Sequence, residues 1–113
     1  AKLVRVLQGA VLDVIVDLRK SSPTFGQHLA VELSEENKKQ LFVPRGFAHG
    51  FKVVSKTAVF AYKVDNLYSK EHEATLLWND PNLNINWEID ATEIILSEKD
   101  KVGKLFTEAT LFE

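Results

Sequence analysis

The 113 residues contain no cysteine, which excludes a disulfide framework and thiolate chemistry. That absence fits a reducing cytoplasm, the compartment expected here. Neither sign of charge dominates: 14 Lys and Arg stand against 16 Asp and Glu, for a net charge of −2. Such a balance argues against a nucleic-acid partner. No run is apolar for long enough to cross a bilayer as a helix, so no membrane partner is expected either. There is no internal repeat, low-complexity tract or linker. Also missing are a glycine-rich phosphate loop and a G-x-S-x-G nucleophile signal. What remains is one domain over residues 1–113, long enough to bury a core. The chain opens inside a strand-like run, AKLVRVLQG, without methionine. A fragment of a longer protein is expected on that ground, and the missing leader then carries no information.

The pattern that is present has a period of two. In AVLDVIVDLR, residues 10, 12, 14, 16 and 18 form a wholly apolar face, while Val11, Asp13, Ile15, Asp17 and Arg19 form a mixed one. KSSPTFGQ reads as a loop, QHLAVEL as strand, SEENKK as a turn, and QLFVP as a short strand stopped by Pro44. FAHGFKVVS and TAVFAYKVD are two further strands. TLLWNDPNLNINW reads as a strand followed by a loop, with Trp78 and Trp87 packing in the core or at its rim. From Ser97 a short helix is expected, with Ser97 as N-cap and Asp100 at the third helical position. Five to seven short strands without strand–helix alternation predict an all-β sandwich or barrel.

Alternation also sorts the polar side chains. Phe47, His49, Phe51 and Val53 share one face, and Ala48, Gly50 and Lys52 the other, which Lys52 marks as the wetter. His49 therefore points inward. By the same alternation Tyr62 points inward with Ala58, Phe60 and Val64. In one barrel, an imidazole and a phenol would share an interior with carboxylates such as Asp13. Two readings stand at this point: hydrogen-bonded core residues, or groups that handle a substrate. PRGFAH matches P-x-G-x-x-H, the turn that presents a metal-binding histidine in cupin barrels. The usual Asn four residues later is Val53 here, and the earlier H-x-H is reduced to a lone His28. One ligand does not make a metal site, so no metal is expected. His28 and the SKEHE stretch are read as solvated.

Four blocks then point to a family. KLVRVLQGAVLDVIVDLRKSSPTFG, ELSEENKKQLFVPRGFAHGF, YKVDNLYSKEHEATLLWNDP and ILSEKD resemble, in the same order, segments of the dTDP-4-dehydrorhamnose 3,5-epimerase family of the cupin superfamily. The resemblance implies a cupin-type jelly-roll barrel, usually a homodimer, working without metal or other cofactor. The implied reaction inverts C3 and C5 of a dTDP-4-keto-6-deoxyhexose, in dTDP-L-rhamnose biosynthesis. Carbons beside a ketone can lose a proton because the enolate spreads its charge onto oxygen. Histidine, with an ordinary pKa of about 6.5, suits the base, and tyrosine, at about 10, suits the opposite-face donor. A cation beside the enolate oxygen lowers the barrier.

By motif, Tyr62 matches the family's acid, Lys2 the lysine near the enolate oxygen, and Asp100 the carboxylate that orients the base. His49 matches an active-site histidine with Asp13 as its carboxylate partner, and Tyr68 and Glu73 match positions near the nucleotide base. The family's base lies in an R-G-L-H-F-like segment that these residues do not contain, and neither His28 nor His72 falls in the right block. The chain alone is therefore expected not to epimerise. A barrel lacking its first strands is also expected to associate through exposed edges. Two other readings remain: a related dTDP-keto-sugar isomerase or single-centre epimerase, and a non-catalytic barrel that binds sugar nucleotides.

Overall fold

The computed structural model describes residues 1–65 together with Leu76, Leu83, Ile85 and Trp87. It places six strands in chain order: β1 (Lys2–Gln8), β2 (Ala10–Asp17), β3 (His28–Ser34), β4 (Gln40–Val43), β5 (Phe47–Val53) and β6 (Val59–Val64). The strand expected after Thr75 lies outside the described residues except at Leu76, and the helix expected from Ser97 lies outside them altogether. Among the described residues no helix is long and apolar enough to cross a membrane.

Among the described residues two antiparallel sheets form, ordered β4-β1-β6 and β3-β2-β5. Only β2 and β3 are both consecutive and paired; every other connection carries the chain from one sheet to the other. That repeated crossing is the wrapping of a jelly roll, one form of the sandwich or barrel that the strand pattern predicts and the one that the family resemblance implies. Gly9 makes the first crossing possible. Its φ is +81°, and a side chain there would collide with the Thr57 carbonyl oxygen. Gly46, at φ +88°, turns the chain after Pro44 and accepts a hydrogen bond from Leu18 N–H at 2.9 Å, which pins the start of β5 to the end of β2.

The core between the sheets joins Val4 and Val6 of β1 to Val11 of β2 and Leu33 of β3, with Val31, Leu41, Ala58 and Phe60 packed around them. Each such aliphatic side chain stabilises the fold by about 1.5–3 kcal/mol through burial. It is the mixed face of β2 that turns inward, carrying Val11, Asp13, Ile15 and Asp17. The wholly apolar face turns outward and is buried at Val14, Val16 and Leu18, with Ala10 and Leu12 partly covered. Val16 and Leu18 pack there with Leu83, Ala48, Leu76 and Ile85.

This second cluster corrects one expectation. The face of Ala48, Gly50 and Lys52 is not uniformly the wet side. Ala48 packs into the outer cluster, and a side chain at Gly50 would meet Trp87 at 3.5 Å. Lys52 misled because a single charged residue near a strand end marks only its own position.

Candidate functional site

The pairing of β2 with β5 builds the first part of the site. Ile15 lies opposite His49 and Asp13 opposite Phe51, so Asp13 and His49 are diagonal neighbours on the inner face. His49 Nε2 lies 2.6 Å from Asp13 Oδ1. Asp13 is 0% exposed and the His49 side chain 10%. With a carboxylate as acceptor, Nε2 is the donating nitrogen, which leaves Nδ1 as the ring atom available to another partner. Asp13 Oδ2 is buried and has no hydrogen-bond partner among the described residues. An unpaired buried oxygen costs on the order of 1–3 kcal/mol, so packing alone gives no reason to keep this carboxylate.

The second part comes from the other sheet. Tyr62 lies opposite Val4, and Lys2 opposite Val64 and Val43. Both therefore belong to the inner surface that Val4 helps to seal. The expected inward face of Tyr62 is correct, but at 62% exposure the phenol stands at the open rim and not in the core. Lys2 is exposed beside it, at the diagonal spacing that antiparallel pairs set at about 7–8 Å between backbones.

Aromatic rings bridge the two parts. The Phe60 centroid is 6.1 Å from His49 and 6.2 Å from Tyr62, and Phe51 lies 6.4 Å from His49. Phe51 and Phe60, one from each sheet, stack 4.7 Å apart at an interplanar angle of 13°. The inner surface thus offers an imidazole–carboxylate pair among aromatic rings, with a phenol at its open rim and Lys2 beside that phenol in the sheet. Such a set can move protons and steady a developing oxyanion.

The remaining residues expected at the site divide clearly. Tyr68, Glu73 and Asp100 lie outside the described residues. His28 lies opposite Val16, on the outer face of the sheet, so it cannot join His49 in a ligand set. Among the described residues no group of three His, Asp or Glu side chains is poised to hold a metal ion.

One polar cluster escaped the sequence reading. Asp17 is buried at the inner end of β2 and accepts hydrogen bonds from Arg19 Nε at 2.9 Å, Arg19 Nη2 at 3.0 Å, Ser22 Oγ at 2.6 Å and Thr24 Oγ1 at 2.5 Å. The Arg19 hydrogen bonds, seconded by the two hydroxyls, hold its carboxyl far below the usual range against the opposing effect of burial. Arg19 also lies 4.8 Å over the Phe47 ring, which ties this loop to the strand that carries His49. The signal for it was DLRKSSPT itself: an acid followed at short range by an arginine and three hydroxyls, of which Ser22 and Thr24 reach it.

Comparison with known proteins adds to this geometry. A family model described as dTDP-4-dehydrorhamnose 3,5-epimerase matches residues 1–108. The chain is 51% identical over 111 residues to the dTDP-4-dehydrorhamnose 3,5-epimerase of Pseudomonas aeruginosa, covering 98% of this chain and 61% of that protein. Among solved structures, the enzyme of that name from Elizabethkingia anophelis aligns with a TM-score of 0.92 and 55% identity, covering 95% of this chain and 59% of the other. A dTDP-6-deoxy-D-glucose-3,5-epimerase from Legionella pneumophila, in complex with dTDP-4-keto-L-rhamnose, aligns with a TM-score of 0.92 and 49% identity, covering 96% and 57%. The chain spans roughly three-fifths of the length of these relatives.

Proposed function

We propose, on the premise that this chain belongs to the dTDP-4-dehydrorhamnose 3,5-epimerase family, that its inner surface binds a dTDP-4-keto-6-deoxyhexose and supplies part of the chemistry that inverts C3 and C5. The observation that carries this reading is the Asp13–His49 pair at 2.6 Å, joined through Phe60 to a rim phenol, Tyr62. Tyr62 donates the proton that returns to carbon on the face opposite to its removal. Lys2 places an ammonium near the enolate oxygen. Asp13 fixes the His49 ring by accepting a hydrogen bond from Nε2–H, which leaves Nδ1 for the sugar. Asp100, Tyr68 and Glu73 keep the roles that the family pattern gives them, the first orienting the base and the other two flanking the nucleotide. The chemistry asks for no metal or redox cofactor, because the ketone of the substrate itself stabilises the carbanion. The whole protein is proposed to act as a homodimer in the cytoplasm, in dTDP-L-rhamnose biosynthesis.

Two measurements test the proposal. Titration with dTDP-4-keto-6-deoxyglucose should shift the amide resonances of His49 and Tyr62 together. A ligand that leaves both unmoved up to millimolar concentration counts against the site. Abstraction of the first proton is assigned by the family pattern to an R-G-L-H-F-like segment not found in these 113 residues. In deuterium oxide this chain alone should therefore leave C3 and C5 of the sugar unlabelled. Brisk labelling at either carbon would place the base within these 113 residues, with His49 the first to test.

A further inference from the structure

We infer that the stacked pair Phe51–Phe60 is the wall that receives the C6 methyl group of the sugar, and so selects a 6-deoxyhexose over a hexose with a hydroxyl at C6. This rests on the substrate class proposed above and goes beyond it, by assigning a specificity-determining surface. Phe60 touches both His49 and Tyr62, at 6.1 and 6.2 Å between ring centroids. A sugar ring that reaches both groups must therefore lie across Phe60 and its partner Phe51. Phe60 has its other side in the core with Val4, Val6, Val11 and Leu33, so it is held in place. Phe51 is 48% exposed and offers its surface to a ligand. Neither ring can donate or accept a conventional hydrogen bond, while the polar groups of the site, His49 and Tyr62, each neighbour Phe60.

The substrate has one part that suits such a surface. C2 and C3 carry hydroxyls, C4 carries the ketone and C1 carries the diphosphate. Only C6 is a bare methyl group, and it hangs on C5, one of the two reacting carbons. A methyl against the rings gains apolar contact. A hydroxymethyl in its place would give up water with no partner in return, a penalty that apolar pockets typically turn into a preference of about 10- to 100-fold.

The test uses two ligands that differ in one oxygen atom, dTDP-glucose and dTDP-6-deoxyglucose, with dTDP itself as reference. Their dissociation constants for the 113-residue chain are measured by calorimetry. The 6-deoxy sugar should bind about tenfold more tightly, and this ratio should fall to about twofold or less in Phe51→Ala. Phe51→Tyr keeps the ring and the fold but adds a hydroxyl to the wall, and it should narrow the ratio as well. Reading the ratio cancels any general loss of affinity. Equal affinities in the unmodified chain, or a ratio untouched by both substitutions, would overturn the assignment while leaving the function intact. Failure of dTDP and both sugars to bind would sink the proposed function, and the assignment with it.

Discussion

His49 and Asp13 form a pair whose energetics set it apart from ordinary core. Replacing His49 by Phe keeps the ring but strands a buried carboxylate, and the expected cost is about 3 kcal/mol. Replacing both, His49→Phe with Asp13→Val, removes the buried charge and should recover most of that loss. Urea unfolding of the single and double variants checks this. A double variant as stable as the parent that no longer binds a dTDP sugar would show the pair to be held for chemistry. Asp17 makes a second prediction at this scale. Its carboxyl is held below the ordinary value of 3.8, chiefly by Arg19. A lowered folded-state pKa stabilises the fold at pH values above the unfolded one and is lost as pH falls below it. Stability should therefore be level near neutrality and decline below about pH 4, and Arg19→Gln should flatten that decline. Thermal melts between pH 7 and 2 read both effects.

At the scale of elements, alternation along each strand decides what a substitution costs. Leu33 and Leu29 lie on the same strand, β3, with the same parity. Yet Leu33 is 0% exposed in the central core and Leu29 is 50% exposed. Leu33→Ala should cost about 3 kcal/mol, while Leu29→Ala should stay within about 0.5 kcal/mol; denaturant midpoints separate the two. Parity thus gives direction but not depth, because depth depends on where along the strand the opposite sheet ends. Tyr62 makes the same point. Its inward face was legible from AVFAYKVD, but its position at the rim follows from the register that sets it opposite Val4. The alternation in AVLDVIVDLR identified two faces on β2 correctly. It could not say that both would be buried, since the outer cover is built from Leu76, Leu83 and Ile85, more than fifty residues away in sequence.

For the molecule as a whole, exposed apolar surface is the property to test. Within the described residues β5 and β6 are the outermost strands of their sheets on one side, and beyond the site Val53 and Val64 on their inner faces are about half exposed. Surface of this kind drives association. Sedimentation velocity should show a weight-average mass that rises with protein concentration, and Val64→Lys should weaken the trend. A monomer at every concentration would count against it.

The amino-acid sequence by itself determined the period-two texture, hence the all-β architecture of the described residues, the inward parity of His49 and Tyr62, and a family pattern that runs through nearly all of the chain. The texture and the parity are local properties, written within a few residues of each position, and the family pattern is the order of such local blocks along the chain. The tertiary structure decided which residues meet: that Asp13 bonds His49 Nε2, that Phe51 from one sheet stacks on Phe60 from the other, that His28 is turned away, and that Arg19 secures Asp17. Each of these contacts joins positions through sheet register or loop geometry, and alternation within a strand fixes a side chain's face without fixing its partner across the gap.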